Sequence, residues 1–211
     1  MKYLVTENEL LSAEVTSAGD LTFTRENGDI INAGSVRGDD KEGVGSPEGV
    51  VTAIVGARYR DTAGTNGAIL WVKASGAGAT GWRVLFGDTG SRDVSSLLNP
   101  GWSGTLRYRR VGASVYIEGS LTRATVATNR ATYHQVATIP DGFRVGHTYP
   151  FGMAMLQGSG VYGAVGSISA LTEFGTYRFG AGDWAVGETL MFSASFLTLN
   201  AWPSALPGTP A

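Results

Sequence analysis

The chain has 211 residues, 31 glycines, no cysteine, 16% charged residues and a formal net charge of -2. Disulfides and thiolate metal sites are excluded within it, and the near-neutral balance lacks the basic bias of a nucleic-acid binder. Abundant glycine favours turns and strands over helix, in one domain or two small ones.

In chain order, Met1-Lys2-Tyr3-Leu4-Val5 meets Glu7 and Glu9 at once, so no signal-peptide apolar region is expected. No apolar run reaches the ~18 residues of a membrane helix. Leu4, Leu10, Leu11 and Val15 suit one helical face, but Thr6, Val15 and Thr16 are β-branched. A short helix and a strand arm both remain open there. Residues 21–25 alternate apolar and polar, Asn27-Gly28 signals a hairpin, and residues 29–32 return. Such a hairpin is marginal alone and needs partner chains or a neighbouring domain. Residues 34–49 read as a linker. Gly34, Gly38, Gly43, Gly45 and Gly49 miss a three-residue period, so no collagen helix is expected. Arg37-Gly38-Asp39 spells the integrin tripeptide and reads as a chance match.

Residues 45–87 organise the chain. Pro47-Glu48-Gly49 turns into the run from Val50 to Val55, which reads as a strand. Gly64-Thr65-Asn66-Gly67 separates residues 58–61 from residues 68–73, and Asn-Gly favours the positive φ of a tight hairpin. Gly76 to Gly81 then leads into Trp82-Arg83-Val84-Leu85-Phe86. The pattern is a meander of short strands. Gly-Ser-Pro-Glu-Gly-Val-Val-Thr-Ala from Gly45, Gly56 with Tyr59 and Asp61, Trp71-Val72-Lys73, Ser75-Gly76 and Thr80-Gly81-Trp82 together resemble a module of bacteriophage tail-tip and tail-fibre proteins. It is similar to minor tail proteins of phages that infect actinobacteria. The resemblance covers about a fifth of the chain. It implies a connector that joins the tail to a receptor-binding head, as a homotrimer carried in the virion and made in the host cytoplasm.

Residues 88–100 read as a second linker anchored by Leu97 and Leu98. Beyond it the strands lengthen. Val115, Ile117 and Leu121 share one face of residues 114–122, while Tyr116, Glu118 and Thr122 share the other, as in a half-buried antiparallel strand. Thr138-Ile139-Pro140-Asp141-Gly142-Phe143-Arg144 resembles a corner of phage-fibre heads; Pro140 and Gly142 suit a sharp turn, with Phe143 as a core plug. Further strands are expected over residues 151–156, 164–170, 176–179 and 189–199. The expected fold is all-β: an N-terminal hairpin region and a β-meander connector, then a jelly-roll-like β-sandwich head. Its divisions are an attachment region (1–33), a linker (34–49), the connector (50–95), the head (96–200) and a flexible tail (201–211) in which Trp202 could pin to the head.

Residues 1–100 carry few large side chains for a private core. The residues alone predict an oligomer in which Ile54, Tyr59, Leu70, Trp71 and Leu85 bury against sister chains. That the oligomer is a trimer is implied by the resemblance.

Catalytic and cofactor patterns are weak, and neither an enzyme nor a cofactor or metal site is expected. G-x-G-x-x-G occurs at Gly76 to Gly81 and Gly158 to Gly163, with a looser copy at Gly180 to Ala185. None is followed by the helix that a nucleotide loop requires. His134 and His147 lie in no metal or triad pattern, and Ser103 lacks nucleophile-elbow spacing. A depolymerase needs two carboxylates roughly 5–9.5 Å apart, and Glu118, Asp141, Glu173, Asp183 and Glu188 are dispersed. Sugar recognition needs only an aromatic face and a few polar groups. Asn129, Arg130, Tyr133, His134, Gln135, Tyr162, Asp183 and Trp184 are the loop residues that offer them. The expected function is recognition of a host-surface glycan by the head, with other tail or baseplate proteins as partners of the N-terminus. No nucleic-acid or membrane partner is expected. A purely structural tail component and a glycan depolymerase are the alternatives.

Overall fold

The structure, a computed structural model, describes residues 9–16, 19–35, 40–125, 133–157, 160–168, 173–178 and 183–211. Every regular element among them is a strand or a single 3-10 turn. The Arg37-Gly38-Asp39 tripeptide lies outside the described residues.

Strands β1 (Leu10–Val15), β2 (Asp20–Arg25) and β3 (Ile30–Ser35) form an antiparallel sheet in that order. Residues 10–15 therefore resolve as strand. Gly28, at φ 85°, closes the β2–β3 hairpin, with Asn27 accepting from the Asp29 N–H. Leu10, Leu11, Val15, Ile30 and Ile31 are all exposed.

A second sheet orders β4 (Lys41–Gly43), β5 (Arg58–Asp61), β6 (Ala68–Lys73) and β7 (Trp82–Gly87). β5 to β7 form the antiparallel meander, while β4 adds in parallel to β5, so residues 41–43 belong to the sheet rather than to a linker. Val50 to Val55 is no strand. The Pro47 carbonyl accepts from both the Val50 and Val51 N–H groups, which folds the run into a turn and leaves Val50, Ile54 and Val55 exposed. Contrary to the sequence expectation, this region has a private core. Ala53, Ala57, Tyr59, Ala68, Trp71 and Trp82 bury together, with Trp202 from the C-terminal run packed against them. The Asn66-Gly67 turn takes positive φ at both residues, and a Cβ on Gly67 would stand 1.9 Å from the Asp88 carbonyl oxygen.

The third sheet holds β8 (Arg92–Asp93), β9 (Trp102–Val111), β10 (Ser114–Arg123), β11 (His134–Thr138), β12 (Tyr149–Gln157), β13 (Gly160–Ile168), β14 (Glu173–Arg178), β15 (Thr189–Leu197) and β16 (Thr209–Pro210). Their order is β11-β14-β13-β12-β15-β10-β9-β8-β16. The sheet curls back on itself: Leu98, beyond β8, bridges Ala137 in β11, and Asn99 N–H donates to the Val136 carbonyl. The result is a β-sandwich head whose inner faces share one core. Large residues face small ones across the β10–β15 ladder, Phe192 opposite Gly119 and Ile117 opposite Ala194. A Cβ on Gly119 would meet the Phe192 ring at 2.6 Å, so the glycine makes room for it. Phe151, Phe174 and Phe192 pack with ring centroids 5.1–5.9 Å apart. Phe143 is fully buried after the Pro140–Gly142 corner, where its N–H donates to the Pro140 carbonyl. Leu97 and Leu98 pack onto the same core.

The C-terminal run is not loose. β16 pairs with β8, and Arg92 donates to the carbonyls of Pro207 and Gly208. Trp202 Nε1 donates to the Asn66 carbonyl at 2.9 Å, tying the run to the small sheet. Prolines remove donors but leave carbonyls, and those carbonyls hold this segment.

Tyr108 is fully buried beside Phe143, and its hydroxyl has no partner among the described residues. Burial pushes its phenol pKa up. An unpaired buried hydroxyl contributes desolvation cost without return, so Tyr108→Phe is expected to leave stability unchanged or raise it by up to ~1 kcal/mol. A thermal melt checks this; a fall of more than ~1 kcal/mol would reveal a partner for the hydroxyl.

Candidate functional site

The expected glycan-binding residues are spread over different environments. Asn129 and Arg130 lie outside the described residues, and Tyr162 stands in β13 opposite Met155 with its side chain outside them. Tyr133, His134 and Gln135 lead into β11, which pairs with β14. The Tyr133 ring lies over Gly175, where a Cβ would come within 2.2 Å of it. Burial and the adjacent Glu173, which hydrogen-bonds the Tyr133 hydroxyl, push that phenol up to about 12. Tyr133 is still 42% exposed and keeps ring surface toward solvent. Asp183 is exposed, but its neighbour Trp184 is fully buried. The Trp184 indole packs edge-on against Trp102 at 5.6 Å and His134 at 6.3 Å. As a core residue it presents no stacking face, which corrects its assignment as a ligand contact.

The expected seam residues also divide. Tyr59 and Trp71 are buried in their own chain's small core, which removes them from a contact with sister chains. Leu70 is half-buried, while Ile54 and Leu85 are 66% and 55% exposed.

The contacts of four head acids tie them to their surroundings. Glu118 pairs with Arg107 and Asp141 with Arg144. Glu173 holds the Tyr133 hydroxyl, and buried Glu188 accepts from the Ala185 N–H. These contacts fix the four carboxylates to neighbours of their own turn or ladder.

The glycine-rich loop from Gly76 to Gly81 faces the opposite way from a phosphate cradle. Lys73, buried at the end of β6, donates from Nζ to the carbonyls of Gly78 and Thr80 and lies 5.9 Å from the Trp82 ring centroid. The loop thus points carbonyl oxygens at a cation, whereas phosphate binding requires inward N–H groups. Its N–H groups at Gly81 and Trp82 are taken by the two oxygens of Glu48, at 3.1 and 2.7 Å. The other two glycine matches fall partly outside the described residues.

A cleft of about 740 Å³ opens where the small sheet meets the sandwich. Trp71, Trp82 and Trp202 line it together with Arg83, Asn66 and Asn200. Arg110 forms part of its wall. The guanidinium donates to the carbonyls of Gly112, Gly142, Asn200 and Ala201 and lies 4.9 Å from the Trp202 ring centroid. Burial draws Arg110 down to about 10, so it remains charged at neutral pH. No sequence pattern announces this cleft. Asn66 and Trp202 meet across 136 positions, and only the folded chain brings them together.

No known family profile matches the chain, and no curated protein matches it. Among solved structures, the chain is similar to the receptor-binding head domain of the lactococcal phage bIL170. The match is 18% identical over 54% of this chain and 99% of the other, with a TM-score of 0.42. A likeness this distant transfers no function.

Proposed function

We propose that the chain is a phage tail-tip or tail-fibre component, of the kind its residues 45–87 resemble, that recognises a bacterial surface glycan as a homotrimer. The observation that carries this reading is the contrast between its parts. The sandwich and the small sheet each bury a core. The N-terminal sheet instead leaves Leu10, Leu11, Val15, Ile30 and Ile31 exposed. A three-stranded sheet with apolar side chains and open edges is covered by partner chains in a stable assembly. Sister copies, or the tail protein it attaches to, are the occupants this reading assigns. Ile54, in the turn before β5, and Leu85, in β7, are exposed apolar residues as well. A rigid head offering Tyr133, His134 and Gln135 at one strand entry suits recognition rather than catalysis. Three weak sites on one particle gain from high effective concentration.

Light scattering of the full chain tests the assembly, with an expected mass three times the 22.0 kDa of one chain. Retention on a panel of intact actinobacterial and other Gram-positive cells tests recognition. A trimer that no cell wall retains would favour the structural alternative. A monomer would remove the fibre reading. Sustained release of oligosaccharide from cell walls would favour a depolymerase instead.

A further inference from the structure

We propose that the cleft between the small sheet and the sandwich binds an acidic oligosaccharide, with Arg83 as the residue that recognises its charge. The inference rests on the host-glycan reading and gives it a second binding place, distinct from the loops around Tyr133. Size is the first support. The volume of about 740 Å³ lies within the range of small-molecule sites. Wall chemistry is the second. The half-buried Trp202 indole lines the cleft together with the amides of Asn66 and Asn200 and the hydroxyls of Ser46, Thr65 and Ser204, a mixture that suits a ring with one apolar face and a rim of hydroxyls.

Charge is the third. Glu48 is the one acid among the residues lining the cleft, and both of its oxygens are engaged by Gly81 and Trp82 N–H groups. Arg110 is engaged by four carbonyls. Arg83 is exposed and makes no ion pair among the described residues. Asn66 uses Nδ2 on the carbonyls of Pro203 and Ser204, which leaves Oδ1 to accept. Asn200 uses Oδ1 on the Arg144 N–H, which leaves Nδ2 to donate. A carboxylate or phosphate on a sugar would meet the Arg83 guanidinium in a charge-assisted bond, while hydroxyls meet the two amides.

Intrinsic fluorescence of the full chain is the readout, because tryptophans line the cleft. The chain is titrated at low salt with tetragalacturonate and with phosphorylated maltotetraose, and with maltotetraose as the uncharged control. The two charged probes separate carboxylate from phosphate recognition. A saturable change is expected with at least one of them, weakening at high salt, and none with the control. Arg83→Gln is expected to weaken binding about tenfold or more. Ser204→Glu, which adds a carboxylate to the lining, should do the same. Both positions are exposed, so both variants should melt like the parent chain. No saturable response to either charged tetramer, equal binding of the control, or undiminished binding by Arg83→Gln would overturn the proposal. The same variants are applied to whole cells. Retention that survives Arg83→Gln leaves host recognition standing and removes the cleft from it. Binding of a charged tetramer without retention on any cell leaves the cleft standing and removes the host reading.

Discussion

Arg110→Met is expected to destabilise the chain by roughly 3–5 kcal/mol. The side chain is buried, and its donors satisfy the carbonyls of Gly112, Gly142, Asn200 and Ala201. These carbonyls come from three separate segments: the β9–β10 turn, the Pro140 corner and the start of the C-terminal run. Methionine removes the guanidinium, and with it all four bonds and the contact over the Trp202 ring. The buried Gly142 carbonyl costs about 1–3 kcal/mol when orphaned, and the three partly buried carbonyls cost less each because water reaches them. For a chain of this size the loss corresponds to a melting temperature lower by about 10 °C. Arg110→Lys should fall between, since one ammonium cannot span four acceptors in a fixed fork. Scanning calorimetry measures the shift. Limited proteolysis adds a local readout, because loss of the guanidinium should expose the start of the C-terminal run at Asn200 and Ala201. A melt within about 1 °C of the parent would show that water replaces the guanidinium at no cost.

The head's ladders are legible from the residues because half-buried antiparallel strands write their burial as alternation. Val115, Ile117 and Leu121 turn inward where the pattern puts them, and so do Leu190, Phe192 and Phe196 in β15. Turn chemistry is equally legible. Asn66-Gly67 and Pro140-Asp141-Gly142 adopt the backbone that their residue types favour. What could not be read locally is whatever long-range packing decides. Val50 to Val55 has strand composition, yet one carbonyl at Pro47 captures two of its N–H groups and bends it. His134–Thr138 opens on polar residues and reads as loop, but β14 and Leu98 draw it into the sheet. Lys73 lies on the buried side of its strand because nearby loop carbonyls solvate its ammonium.

The tryptophans show the same limit at the candidate sites. Trp184 sits in glycine-rich surroundings that suggest an exposed ligand contact, and contact with Trp102 buries it. Trp202 sits among prolines that suggest a loose tail, and Asn66 and Arg110 fix it in the cleft wall. Loop composition pointed to aromatic rings as candidates for recognition. Which of them reach solvent depends on partners distant in the chain, more than a hundred residues away for Trp202 and Asn66.

Asp61→Asn is expected to cost about 2–4 kcal/mol and to be felt in the small sheet rather than in the sandwich. Asp61 is almost fully buried at the end of β5. Burial alone would push its carboxyl up, but N–H groups of Gly45, Thr65 and Ala63, with the Thr65 hydroxyl, outweigh it and hold the group below the usual carboxylate range. The N–H contacts measure 2.8–3.0 Å. Because the folded value lies below the unfolded one, the carboxylate contributes its full stability at pH above the unfolded value of about 4, and that contribution is lost as pH falls through the folded value. An amide offers one acceptor oxygen and turns an NH2 toward donors, so the variant would forfeit the charge-assisted part at every pH. The parent chain should therefore lose small-sheet stability on acidification below about pH 4, while the variant starts lower and shows a flatter acid limb. Fluorescence from Trp71 and Trp82, buried in that small core, follows the transition during denaturant melts at successive pH values. Parallel acid limbs in the two proteins would mean that Asp61 is not the group whose protonation loosens the turn joining Gly45 to Thr65.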